Sequence, residues 1–187
     1  MMHAREALVG KWQLAVGTTL VYFVVMMVAG FVPLLPFFLS GPMTLGLTIF
    51  TLSLVRNTNS HLEQIFEGFR RLGTSLVAWL LIVLYVLLWS LLLIVPGIIA
   101  SLSYAMTFYI IADDATVTPS DAIRRSKKMM MNNKWRLFCL GFRFIGWVIL
   151  ACLTFGIGFL WLIPYMQVSF AKFYEEVKGG GAQVSNA

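Results

Sequence analysis

TSLVAWLLIVLYVLLWSLLLIVPG, residues 74–97, decides how this chain folds. Its first 22 residues carry no charge, and Pro96 and Gly97 then break the run. At ~1.5 Å per residue a helix of that length spans ~30 Å, the thickness of a bilayer's hydrocarbon core. Backbone amides in hydrocarbon must find partners within the segment, so the stretch reads as a transmembrane helix. Similar stretches lie on both sides. Residues 13–32 end at Pro33 and Pro36, and residues 37–55 contain Gly41 and Pro42 near their start. Residues 98–112 follow the Pro96-Gly97 break, and residues 137–154 and 155–171 form a last pair around a glycine-containing turn.

Composition points the same way. Of the 187 residues 59% are hydrophobic and 12% charged, with mean hydropathy +0.84. Soluble domains carry about a quarter charged residues, so water is not this chain's solvent. The predicted fold is all-α: a polytopic membrane bundle of six transmembrane helices in three hairpins, with cytoplasmic amphipathic helices between them. One integral membrane domain is expected over residues 1–176, followed by a disordered cytoplasmic tail over 177–187. The first apolar run lacks a small-residue cleavage pattern and reads as a retained span.

Lys and Arg set the orientation. Arg5 and Lys11, Arg56 with Arg70 and Arg71, the run from Arg124 to Arg136, and Lys172 with Lys178 all fall on one side of a six-span layout. The three opposite connections carry no charge. Cationic loops stay in the cytoplasm, which places both termini there. A rival layout makes the short second members of each pair re-entrant half-helices. The formal charge of +6 follows from this cationic retention and gives no reason to expect nucleic acid as a partner.

Two portions look alike at a spacing near ~60 residues, each an amphipathic segment, a long span, a breaking turn and a shorter return. Ser60 to Glu63 and Thr118 to Asp121 share the hydroxyl-then-carboxylate spacing of a helix start, with Pro119 reinforcing the second. Lys11-Trp12 and Lys134-Trp135 both open a span with a cation and an indole. Leu62, Ile65, Phe66, Phe69 and Leu72 recur at helical spacing, so this first segment is expected to lie flat on the membrane. The second carries Arg124, Arg125, Lys127 and Lys128 beside an apolar stripe of Ala122, Ile123, Ser126 and Met130. Such a basic face is either a topogenic anchor or a contact for anionic lipid. Lys134 and Arg143 complete the candidate lipid-binding set.

Polar groups inside the spans mark where chemistry could sit. Thr44, Thr48 and Thr51 share a face of the second span; Ser103 and Thr107 share one on the fourth, continued by Asp114; Tyr165, Ser169 and Lys172 share one on the sixth. These stripes imply that the returning spans meet inside the bundle while the first, third and fifth face lipid. They read either as a polar pathway or as helix packing through small hydroxyls. Arg143, about 10 Å along the helix from Arg136, either snorkels to headgroups or pairs with Asp113, Asp114, Glu175 or Glu176.

No enzyme centre, cofactor site or metal site is visible. His3 and His61 lie far apart in sequence, no carboxylate pair falls within a span, and Cys139 and Cys152 lie 13 residues apart on one predicted helix, out of reach of each other. Gly179–Gly181 opens no helix as a phosphate loop would.

The segments LLLIVPGIIA (91–100), YIIAD (109–113), AIRRSKKMMM (122–131) and NKWRL (133–137) resemble a bacterial family of uncharacterised membrane proteins known only as a domain of unknown function. Gly146-Trp147, TFGIG (154–158) and LIPY (162–165) continue the likeness. The chain is more loosely similar to membrane domains found beside glycerophosphodiester phosphodiesterases, without their catalytic residues. The resemblance implies a multi-span protein of the bacterial cytoplasmic membrane and no substrate or reaction. Two functions remain open: a non-catalytic module binding anionic lipid, partner membrane proteins or a second copy of itself, and a small transporter or channel subunit with a path between the second, fourth and sixth spans.

Overall fold

The computed structural model describes residues 11–31, 35–58, 60–154, 156 and 158–184. The helices are α1 (Trp12–Ala29), α2 (Leu35–Val55), α3 (Gln64–Glu67), α4 (Leu72–Leu92), α5 (Ile94–Tyr104), α6 (Thr107–Asp113), α7 (Pro119–Met129), α8 (Lys134–Leu153) and α9 (Phe159–Val184). A 3-10 turn, Gly68–Arg71, joins α3 to α4. No strand occurs among the described residues. Five segments are long and apolar enough to cross a bilayer: Trp12–Ala29, Leu35–Val55, Gln64–Leu91, Ile94–Asp113 and Lys134–Leu153. The expected sixth span falls in the first half of α9, whose apolar run stops at Lys172 with Glu175 and Glu176 close behind.

Burial alternates along the chain. The best window of α2 is 61% buried and that of Ile94–Asp113 is 44% buried, against 22% for α1, 11% for Gln64–Leu91 and 17% for α8. The returning helices therefore form the interior and the outgoing ones face outward, as the hydroxyl stripes implied. α2 is the axis of the bundle because its side chains are small where neighbours cross. A Cβ on Gly46 would lie 1.8 Å from the Ile65 carbonyl oxygen, and one on Gly68 would lie 1.9 Å from the Pro42 carbonyl oxygen. A Cβ on Gly41 would approach the Ser75 carbonyl oxygen to 2.8 Å. Small residues let backbones approach closely where lipid supplies no hydrophobic drive between helices.

This crossing corrects the flat amphipathic helix expected around residues 62–72. The segment is the first turns of the long α3–α4 rod, and Ile65 is fully buried against α2. Leu62, Phe66 and Leu72 remain exposed. The capping pattern predicted at Ser60 is not used: α3 starts after Glu63 with no side-chain cap, and the Ser60 hydroxyl donates to the Thr58 carbonyl. At Thr118 the pattern holds, since its hydroxyl oxygen accepts from the Asp121 amide at 3.2 Å and Pro119 takes the first helical position.

The apolar stripe Ala122, Ile123, Ser126 and Met130 is buried, and what covers it is protein. Ile123 joins Ala100 and Tyr104 in one cluster, and the Ser126 hydroxyl donates to the Ser103 carbonyl at 2.8 Å. Residues 177–184, expected in the tail, are helical. Val177 is buried in the core and Lys178 pairs with Asp113, so α9 continues through both; residues 185–187 lie outside the described set.

Two turns share one closure. A Cβ on Gly97 would crowd Ser90, and one on Gly158 would crowd Ala151. Gly97 and Gly158 are 61 residues apart, as are Ser90 and Ala151, which agrees with the internal repeat. Gly46→Ala should destabilise the protein by about 1–3 kcal/mol through overpacking. Gly73→Ala, with open space at its Cβ, should be neutral or stabilising by up to about 1 kcal/mol. Thermal unfolding of both variants in detergent separates these outcomes.

Candidate functional site

One end of the bundle gathers its charges. Arg56, just past α2, donates through Nη2 to Asp113 Oδ1 at 2.6 Å and through Nε to Glu175 Oε1 at 2.8 Å. Asp113, at the end of α6, also accepts from the Tyr174 hydroxyl at 3.1 Å and pairs with Lys178. The Tyr174 ring stacks on Tyr109 at 5.4 Å. Arg71 donates to the Ile111 carbonyl at 3.0 Å, Arg125 pairs with Asp114 at 3.0 Å, and Arg136 pairs with Glu176 at 3.4 Å. Asp113 thus ties the ends of α2 and α6 to the C-terminal half of α9. Partial burial of Arg56 opposes its charge, but its bonds to Asp113 and Glu175 outweigh that and hold its pKa above the ordinary value. The Thr116 hydroxyl, the Thr116 amide and Arg125 hold the Asp114 carboxyl below its ordinary range.

Beside this network a groove of about 810 Å³ opens between α8 and α9. Arg136, Arg143 and Lys172 line it with the single carboxylate Glu176. Its apolar wall is a ladder on α8: Trp135 stacks on Phe138 at 5.5 Å, and Phe138 on Phe142 at 6.2 Å. The Arg136 guanidinium lies 5.7 Å from the Phe173 ring centre. A second cleft of about 540 Å³ lies between α2, α5, α6, α8 and α9, lined by Thr44, Thr48 and Gln167 among mostly apolar side chains.

Residues 90–180 match a family model described as a protein of unknown function (DUF975). The match takes in α5 to α8, most of α9 and the whole α8–α9 groove. No curated protein matches. No solved structure matches either.

The predicted lipid-binding residues divide into two places. Arg124, Arg125, Lys127 and Lys128 are exposed on α7, where Arg124 pairs with Asp121. Lys134 is the first residue of α8, and Arg143 joins Arg136 and Lys172 in the groove. None of the four carboxylates offered to Arg143 takes it: Asp113 and Glu175 hold Arg56, Asp114 holds Arg125, and Glu176 holds Arg136.

The predicted polar interior is not brought to one place. Thr48, Thr51, Ser103 and Ser169 each donate to a carbonyl of their own helix at 2.6–3.0 Å. Thr44 and Thr48 line the second cleft, Ser169 lines the groove, and Asp114 lies at the charged end with Thr116 and Arg125. Tyr165 packs edge-on against Phe144 at 5.9 Å. Thr107 is fully buried at the break between α5 and α6, and among the described residues its hydroxyl alone is buried without a partner. The sequence reading missed the Arg56–Asp113–Glu175–Lys178 network. Its signal was present in the acids placed where spans end.

Asp113→Asn should destabilise by about 1–2 kcal/mol in thermal melts, less than a fully buried pair because the Arg56 side chain is 36% exposed. A pKa lowered on folding adds stability that is complete above the unfolded value and lost as pH falls through the folded one. Hydrogen exchange should therefore show α7 holding its protection from neutral pH to about 4 and losing part of it below. In Asp114→Asn that acid-induced loss should be smaller.

Proposed function

We propose that the chain is a non-catalytic integral membrane module that binds anionic lipid or partner membrane proteins at its charged end. The observation carrying this reading is a surplus of cation at that end: Lys127 and Lys128 stand exposed, and Arg143 and Lys172 line a groove whose one carboxylate is held by Arg136. Cations beside apolar helices attract phosphate headgroups. The same surplus supports a cytoplasmic placement of this end and of both termini, and six spans with α9 as the last. The likeness to a bacterial family supports the bacterial cytoplasmic membrane as its location.

Transport is the second reading, and the cleft lined by Thr44, Thr48 and Gln167 is its support. Mass spectrometry of the protein released from mild detergent distinguishes the two. Selectively retained anionic lipid or a stoichiometric partner protein is the expected result. A bare, closed homo-oligomer that carries solute flux in liposomes would overturn the module reading.

A further inference from the structure

We propose that the groove between α8 and α9 holds one anionic phospholipid, its phosphate between Arg143 and Lys172 and its acyl chains running deeper along α8, over Phe142, Ile145 and Ile149. The proposal rests on the lipid-binding reading above and assigns it a place.

Register puts the two cations together. The Arg136–Glu176 pair fixes α8 against α9 at one level, and the Phe144–Phe170 ring contact at 6.2 Å fixes it two turns further on. In antiparallel helices this sets Lys172 between the levels of Arg136 and Arg143. All three side chains line the same cavity.

Charge identifies the occupant. Glu176 answers Arg136, while Arg143 and Lys172 make no hydrogen bond or ion pair among the described residues. Arg143 lies nine residues into α8, roughly 13 Å from its start, among apolar side chains. An unpaired cation at such depth is costly, and a phosphate answering two cations by charge-assisted hydrogen bonds removes the cost. The cations of α7 have no such need, because they stand on the solvent-facing side of their helix.

An apolar strip distinguishes lipid from soluble phosphate. Phe142 is 64%, Ile145 48% and Ile149 58% exposed, so α8 is open from the level of the cations onward. A free anion leaves that strip bare, whereas a phospholipid covers it with its chains while its headgroup meets the cations.

The test reconstitutes the full chain in nanodiscs of equal phosphatidylglycerol and phosphatidylcholine, then counts lipids retained after mild detergent release by mass spectrometry. One phosphatidylglycerol per chain is expected to persist, with retention falling roughly tenfold in R143Q/K172Q. Retention should survive in K127Q/K128Q, and in R143K/K172R if the double glutamine variant folds poorly. Equal retention by wild type and R143Q/K172Q overturns the groove site while leaving the lipid-binding reading intact. A wild type that retains no phosphatidylglycerol over phosphatidylcholine overturns both. Displacement of the retained lipid by millimolar glycerol phosphate alone overturns the role of the Phe142–Ile145–Ile149 strip.

Discussion

The crossing of α2 with the α3–α4 rod at Gly46 and Gly68 is the constraint on which the rest of the structure depends. Two backbones approach so closely there that neither glycine has room for a methyl group. In a bilayer the lipid tails solvate apolar side chains as well as protein does, so association rests on contact density. Small residues let α2 collect neighbours on several sides, which is why it is the most buried helix although its composition differs little from the others. Had Gly46 been leucine, α3 would stand off and Arg71 would lose its reach to the Ile111 carbonyl.

The position of the crossing also shapes the charged end. The α3–α4 rod enters beside α2, so the chain after α2 turns sharply, and Arg56 in that turn faces the end of α6 and the C-terminal half of α9. One arginine and one aspartate then tie three helices. Tyr174 adds a hydroxyl that burial and the Asp113 charge keep protonated, so it remains a donor. Most of the carboxylates at this end are taken up in holding helices together. The cations that remain free of partners are the residue of this pairing, and their place depends on which acids the fold uses.

Much of the architecture was legible from hydropathy alone, because an uncharged stretch the length of a bilayer has few structural options. Alternating burial followed from threonine and serine placed at helical spacing on returning spans. The repeat was visible as a spacing near 60, and the close approaches of Gly97 to Ser90 and of Gly158 to Ala151 fall at one common offset. Two segments show the limit of such patterns. Residues 62–72 and the stripe on α7 have the periodicity of surface helices, but periodicity states only that one face is apolar. Whether lipid or protein covers that face depends on neighbours distant in sequence: Gly46 and Pro42 for the first, Ala100, Ser103 and Tyr104 for the second. The charged network was hidden likewise, since Arg56 and Asp113 are 57 residues apart.

Arg143 shows how this bears on function. From sequence it could reach headgroups or pair with any of four acids, and nothing local decides between them. In the fold each of those acids is held by another cation, so Arg143 pairs with none of them. On the proposed reading its counterion lies outside the chain: beside a membrane the nearest abundant anion is a lipid phosphate, and the apolar strip from Phe142 through Ile149 is open to the chains such a phosphate carries.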